Sequence, residues 1–261
     1  MKVALSIAGS DPSGGGGLQA DLRVFGAFGI HGCGVVTALT VQDTQRVHQS
    51  LPAFPNVVLD QLRVVLRDLP PDVVKLGMLA TDDVARNVGL GLAELAPGTP
   101  IVIDPVMLAS DGSCLLERRA YGALLDLVAG ATLVTPNLSE AQALTECDVS
   151  TEAGVERAGH YLVEEIGAHA ALVKGGHREG APDDLLVERS ESGVTHTWLR
   201  AERIERGPVR GTGCVLASAI AVHLAKGDSI AISVEKGRAF LRKALEASAG
   251  EGARGRLLAF R

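Results

Sequence analysis

The chain has 261 residues, 46% of them hydrophobic and only 3% aromatic, with a formal net charge of −6 at pH 7. That length allows one large α/β domain or two small ones, with room for a sizeable core. An acidic balance, few rings for base stacking and no Lys/Arg-rich run argue against nucleic acid as a partner.

The four cysteines, Cys33, Cys114, Cys147 and Cys214, are dispersed without a C-x-x-C pair, and the seven histidines lack H-E-x-x-H or any short ligand spacing. Reduced thiols and no zinc site are therefore expected. The N-terminus shows no charged-then-apolar leader, and no apolar stretch is long enough to span a bilayer. A cytoplasmic protein without a membrane partner is the expectation.

Short apolar runs alternate with longer amphipathic stretches. In chain order, strands are expected at residues 3–7, 34–40, 73–76, 101–103, 132–135 and 170–174, and helices at 18–28, 57–69, 82–95, 118–128, 139–146 and 152–166. Residues 184–187 and 194–199 read as an antiparallel pair turning at 191–193, before helices over 213–225 and 230–249. This alternation predicts one α/β domain over residues 1–261, with a mostly parallel sheet covered on both faces. Ligands of such sheets sit outside the carboxyl ends of the strands. The last ten residues, rich in Gly and Arg, are expected to be loosely held.

The first strand runs into Gly9-Ser10-Asp11-Pro12-Ser13-Gly14-Gly15-Gly16-Gly17. Gly15-x-Gly17-x-x-Ala20, with Asp43 downstream, matches a variant of the dinucleotide fingerprint, so a nicotinamide-dependent oxidoreductase is one reading. In that fold the glycine turn closes directly on the strand, whereas here Ser10-Asp11-Pro12-Ser13 lengthens the loop. A longer glycine loop can instead wrap a small flat ligand. In the helix that follows, Asp21 falls on the apolar face with Leu18, Leu22, Phe25 and Phe28. A carboxylate there needs a partner: an Arg or a backbone N–H, or a polar ligand beneath the loop. Gln42, at the end of the second strand, is either a loop hydrogen-bonding group or a second contact in the same region.

Asp104 ends another strand in Asp104-Pro105-Val106-Met107. Asn137 and Glu140 have the spacing of a capping box, or alternatively Glu140 and Asp104 help to hold magnesium through water. Lys174-Gly175-Gly176-His177 places an ammonium beside exposed backbone, suited to a phosphate or to a surface carboxylate. The absence of G-x-x-x-x-G-K-[ST] excludes a P-loop. Gly211-Thr212-Gly213-Cys214 precedes an apolar helix, and helix starts bind anions. The same field is expected to lower the Cys214 pKa, leaving a partial thiolate to act as base; the bland alternative is a glycine turn before a core helix.

Eight such motifs in order, between residues 3 and about 225, make the chain resemble the hydroxymethylpyrimidine and phosphomethylpyrimidine kinases within the ribokinase-like superfamily. They are Ile7 to Gly15, Gln19-Ala20-Asp21-Leu22, Thr37 to Gln42, Lys75-Leu76-Gly77-Met78-Leu79, Asp104 to Met107, Thr135 to Glu140, Lys174 to His177 and Gly211 to Cys214. The resemblance implies an αβα sandwich, a homodimer, and ATP- and Mg2+-dependent phosphorylation of the pyrimidine alcohol and then of its monophosphate. It implies that Gly9, Asp21, Gln42, Met78 and Val106 hold the aminopyrimidine. By the same token Gly211, Thr212 and Gly213 form an anion hole beside Cys214 as base. Asp104, Asn137 and Glu140 would organise magnesium and its waters, with Asn137 and Lys174 on the phosphates. A pyridoxal or pyridoxine kinase and a non-catalytic pyrimidine-binding paralogue are the alternatives. The chain departs from the family pattern at Pro208-Val209-Arg210, where Asn-Thr-His is usual, at Gly16 and at Asp43.

Overall fold

Strand β1 (Val3–Ser10) is buried along nearly its whole length, and from it the sheet grows in both directions. The computed structural model describes residues 1–176, 181–191, 193–204, 209–248 and 257–260. Outside that set lie His177, Pro208, residue 192 of the expected turn and most of the last ten residues.

The described elements follow the expected alternation. After β1 come α1 (Gly17–Ala27), β2 (His31–Gln42), β3 (Val47–Pro52), α2 (Pro55–Asp68), β4 (Val73–Leu76), α3 (Asp82–Leu92) and β5 (Ile101–Ile103). A 3-10 turn (Arg118–Ala120) leads into α4 (Tyr121–Val128), then β6 (Leu133–Val134), α5 (Leu138–Thr145), α6 (Glu152–Glu164) and β7 (Ala170–Val173). The chain closes with β8 (Asp184–Ser190), β9 (Gly193–Leu199), α7 (Thr212–Ala225) and α8 (Ile230–Ala247). The sheet order is β3-β2-β1-β4-β5-β6-β7-β8-β9. Strands β2, β1, β4, β5, β6 and β7 are parallel, and β3, β8 and β9 extend the two edges antiparallel.

Two apolar layers cover the sheet. On one face Leu5, Ile7, Val74, Leu76 and Ile103 pack with α2, α3, α4, α5 and α6 through residues such as Leu62, Val88, Leu124, Leu144 and Leu162. On the other, Ala4, Val73, Val102, Leu133 and Leu172 pack against α1, α7 and α8 through Phe25, Ile220 and Val234. Each fully buried Leu or Val side chain contributes about 1.5–3 kcal/mol. Helix α7 is apolar on every side because it lies between the sheet and α1 and α8. The result is the expected three-layer αβα sandwich.

Strand β3 is a departure from expectation. Its sequence, Val47-His48-Gln49-Ser50-Leu51-Pro52, lacks alternation because the strand is an antiparallel edge whose residues are mostly exposed. The helix expected over 118–128 begins instead as the 3-10 turn. For function the strand order matters more. From β1 the chain goes to β2 on one side and later to β4 on the other, which opens a crevice at the carboxyl ends of these strands.

Candidate active site

The loop after β1 is held by its own side chains. Asp11, almost fully buried, accepts from the N–H groups of Ser13 and Gly16, both at 2.8 Å. Its own N–H donates to Gln19 Oε1 at 2.8 Å. Gly17 has φ +54°, and a Cβ there would stand 2.3 Å from the Gly9 carbonyl oxygen. A Cβ on Gly9 would lie 2.8 Å from Met78 Sδ, so the ends of β1 and β4 touch where the loop begins. Asp43 offers nothing to a ribose. Its carboxylate accepts from the Gln45 and Arg46 N–H groups and pairs with His48, whose hydrogen bond holds it well below the usual range.

Across the crevice, α7 starts at the glycine bend. Gly211, the N-cap, has φ +71°, and a Cβ there would meet the Gly15 carbonyl oxygen at 1.8 Å. Only glycine permits this approach. Val215 makes the first backbone bond back to Gly211, so the N–H groups of Thr212, Gly213 and Cys214 precede the intrahelical ladder. A Cβ on Gly213 would be 3.1 Å from Lys174 Nζ and 3.5 Å from Asp104 Oδ2. The helix dipole, the glycine backbone and the ammonium thus converge on one spot.

The cavity in this crevice has a volume of about 1090 Å³. Its wall includes Gly9, Gln42, Met78 and Val106 of the expected pyrimidine contacts. Asp104, Asn137, Glu140 and Lys174 line it too, as do the four residues from Gly211 to Cys214. Lys174 Nζ pairs with Asp104 Oδ1 at 2.8 Å. Burial works against the Lys174 ammonium, but Asp104 and Glu140 hold its pKa above the ordinary lysine value. Burial likewise pushes Asp104 upward, and Lys174 with Lys75 more than offsets it, so the carboxyl stays ionised. Asn137 and Glu140 form the full capping box of α5: Asn137 N–H donates to Glu140 Oε2 at 2.7 Å, and Glu140 N–H to Asn137 Oδ1 at 2.9 Å. Burial, aided by Asp104, raises the Glu140 pKa to about 7 against the opposing pull of Lys174. Capping and a place on the cavity wall coexist.

Two expectations need correction. Asp21 does not reach the cavity. It is wholly buried beneath it, where Lys75 Nζ donates at 3.0 and 2.9 Å, Ser6 Oγ at 2.6 Å and Ser218 Oγ at 2.7 Å. With its lone pairs taken by protein donors, its partner is a lysine of β4 and not a ligand. Cys214, in turn, is no partial thiolate in this state. Burial pushes its thiol up to about 12, and Asp104 and Asp21 reinforce this against Lys75. The helix field loses to desolvation and to two nearby carboxylates.

Lys75, not among the site residues expected from the sequence, also lines the cavity. The sequence signal for it is a lone lysine inside Val73-Val74-Lys75-Leu76, a strand buried on both faces. The pair of Asp184 on β8 with Arg238 on α8, at 2.8 Å on the far wall, carried no comparable signal because its halves are distant in sequence.

Residues 11–256 match the phosphomethylpyrimidine kinase family. The chain belongs to this family. It is 40% identical over 249 residues to the hydroxymethylpyrimidine/phosphomethylpyrimidine kinase of Rhizobium meliloti, covering 94% of this chain and 91% of that one. The crystal structure of phosphomethylpyrimidine kinase from Clostridium difficile superposes with a TM-score of 0.81 at 32% identity, covering 94% of this chain and all of the other. An ADP complex of Bacillus subtilis pyridoxal kinase superposes with a TM-score of 0.86 at 28% identity, covering 100% and 97% of the two chains. The chain is thus a phosphotransferase of thiamine biosynthesis with a ribokinase-like fold. Membership of the family rules out the nicotinamide reading of the glycine loop. No helix among the described residues is long and apolar enough to cross a membrane.

For a kinase of this family the arrangement has clear chemical use. A helix start and a lysine ammonium at one spot can present positive charge to an anion, which is the main requirement of a loose phosphoryl-transfer transition state. Met78 and Val106, apolar side chains lining the same cavity as Gly9 and Gln42, leave a surface that can take a flat ring.

Proposed function

We propose that the enzyme transfers the γ-phosphoryl group of ATP to the hydroxymethyl oxygen of 4-amino-5-hydroxymethyl-2-methylpyrimidine, and then a second group to the resulting monophosphate. In each step an acceptor oxygen bonds to the γ-phosphorus, the bond to ADP breaks with its electron pair, and the acceptor proton is released. The observation that carries this reading is one cavity holding both a ring slot at the ends of β1 and β4 and a phosphate cradle at the start of α7. Within it Gly9, Gln42, Met78 and Val106 hold the ring, and Gly211, Thr212 and Gly213 form the anion hole. Lys174 and Asn137 take the nucleotide phosphates. Cys214, with its proton retained, orients the acceptor hydroxyl; loose transition states need little base before bond formation is advanced.

Asp104 and Glu140 are the residues that would hold Mg2+ through its waters. The donor set fits that ion: two buried carboxylates line one cavity, and Mg2+ near phosphates is usually held by one or two carboxylates with waters completing its shell. When bound, Mg2+ neutralises charge developing on the phosphate oxygens.

Phosphorus NMR of a reaction containing ATP, Mg2+ and the pyrimidine alcohol tests the reading. ADP with a new phosphomonoester, followed by a pyrophosphate ester, is expected; ATP left intact beside the alcohol would overturn it. The similarity to pyridoxal kinases favours a B6 vitamer as the second reading. A non-catalytic binder has no use for the Lys174–Asp104 pair at a glycine bend. The enzyme is further proposed to be a cytoplasmic homodimer. The β2–β3 edge exposes Leu39, Val41, Leu51 and the adjoining Phe54, an apolar strip that a second copy would cover.

A further inference from the structure

Arg210, the residue before the glycine bend, has no part in the roles given above. It is 8% exposed and is among the residues that line the cavity. Nη1 donates to the backbone carbonyl of Asp43 at 3.1 Å, a neutral acceptor. No carboxylate lies within ion-pair distance of it among the described residues; Asp111, the acidic group that feels its charge, already accepts from the Ser113 and Val47 N–H groups at 2.9 and 2.7 Å. A guanidinium has five donors, and burying one against a single neutral acceptor is unfavourable unless an anion completes it.

Its position says which anion. The Arg210 stem packs beside Gly15 of the substrate loop, and its head reaches Asp43, next in sequence to Gln42. Lys174 sits at the other end of the bend, against Gly213. Arg210 therefore borders the acceptor side of the anion hole and Lys174 the donor side.

We propose that Arg210 binds the phosphate of an acceptor that is already a phosphomonoester, and so enables the second phosphorylation. The inference rests on the pyrimidine-kinase reading and deepens it. In the second step a phosphate oxygen of the monoester attacks the γ-phosphorus and ADP leaves with the electron pair, so two anionic groups must be brought together. Lys174 serves the nucleotide on the donor side, and Arg210 supplies the planar fork that matches two oxygens of the acceptor phosphate.

The test compares kcat/KM for the pyrimidine alcohol and for its monophosphate in the unaltered enzyme, Arg210→Gln and Arg210→Lys. Gln retains a donor for the Asp43 carbonyl and removes the charge. The expected result is a loss on the monophosphate about tenfold to a hundredfold greater than on the alcohol, mainly in KM, with Lys intermediate. Equal losses on both substrates, or none, would overturn the assignment while leaving the kinase reading intact. So would an unaltered enzyme that uses the alcohol and ignores the monophosphate; one that uses neither refutes the parent reading instead. Should the variants unfold, calorimetric binding to the unaltered protein decides. The monophosphate should bind more tightly than the alcohol at low salt and lose that advantage as salt rises; equal affinities at all salt concentrations contradict the proposal.

Discussion

Asp21 and Lys75 carry opposite charges with no exposed surface, tying α1 and β4 to Ser6 of β1 and Ser218 of α7. Removing one partner of such a pair costs about 3–5 kcal/mol, because the other charge remains buried. Asp21→Asn should therefore lower Tm by calorimetry, while the KM for pyrimidine in the folded protein stays within about twofold; a pyrimidine KM that rises tenfold at unchanged Tm would restore Asp21 as a ligand contact. At Cys214 a thiol pushed up to about 12 reacts slowly. Exposed Cys114 should be alkylated first at neutral pH in the nucleotide-free protein. Because the thiolate is the nucleophile, the rate at Cys214 should climb about tenfold per pH unit through the neutral range. A plateau near pH 7 in mass-spectrometric labelling would mean a depressed pKa after all. Cys214→Ala should still reduce kcat by about 10²-fold, the lower end of what a positioned proton-handling group contributes. These two residues show where the chain by itself misleads. Hydrophobic spacing put Asp21 on the buried face correctly, but a partner 54 positions away cannot be read from periodicity. The start of α7 was readable, whereas the burial that outweighs its field, with the carboxylates of α1 and β5's end adding to it, is set by tertiary packing.

The start of α7 and the cap of α5 do their work as elements. Gly213→Ala would place a methyl 3.1 Å from Lys174 Nζ and 3.5 Å from the Asp104 carboxylate, filling the cradle without touching the core. Turnover should fall at least about tenfold with Tm nearly unchanged, since alanine suits a first helical turn; unaltered turnover would place the transferred phosphate elsewhere. Glu140 has a folded pKa raised to about 7 from an ordinary 4.5. Its contribution to stability is full below the unfolded value and is lost as pH rises through the folded one, because the unfolded chain then releases a proton that the folded one retains. Denaturation of the protein without nucleotide or Mg2+ should show stability declining between about pH 4.5 and 7. Glu140→Gln should flatten that slope, and an unchanged slope would assign it to other groups. Element boundaries followed the sequence closely where caps are local, as at Thr81, Asn137, Thr151 and Ser229. Strand β3 escaped because an edge strand needs no buried face, so nothing constrains its pattern.

For the whole molecule, strand–helix alternation was enough to give a mostly parallel sheet covered on both faces, and the resemblance added the αβα sandwich. The order of strands, and with it the crevice beside β1, was not readable from one chain because pairing joins distant segments. The nine strands form one continuous sheet among the described residues, with α7 returning to pack on the central strands β1, β4 and β5 and α8 packing on α7. One cooperative calorimetric transition is expected for residues 1–261, and two separable transitions would divide the chain into domains. The choice of acceptor is made in the cavity. The most direct measurement is a competition assay in which the pyrimidine alcohol and pyridoxal share one reaction with ATP and Mg2+, with both phosphorylated products quantified over time. The expected kcat/KM for the pyrimidine exceeds that for pyridoxal at least about tenfold, a difference of about 1.4 kcal/mol in transition-state binding. Equal use of the two, or preference for pyridoxal, would contradict it.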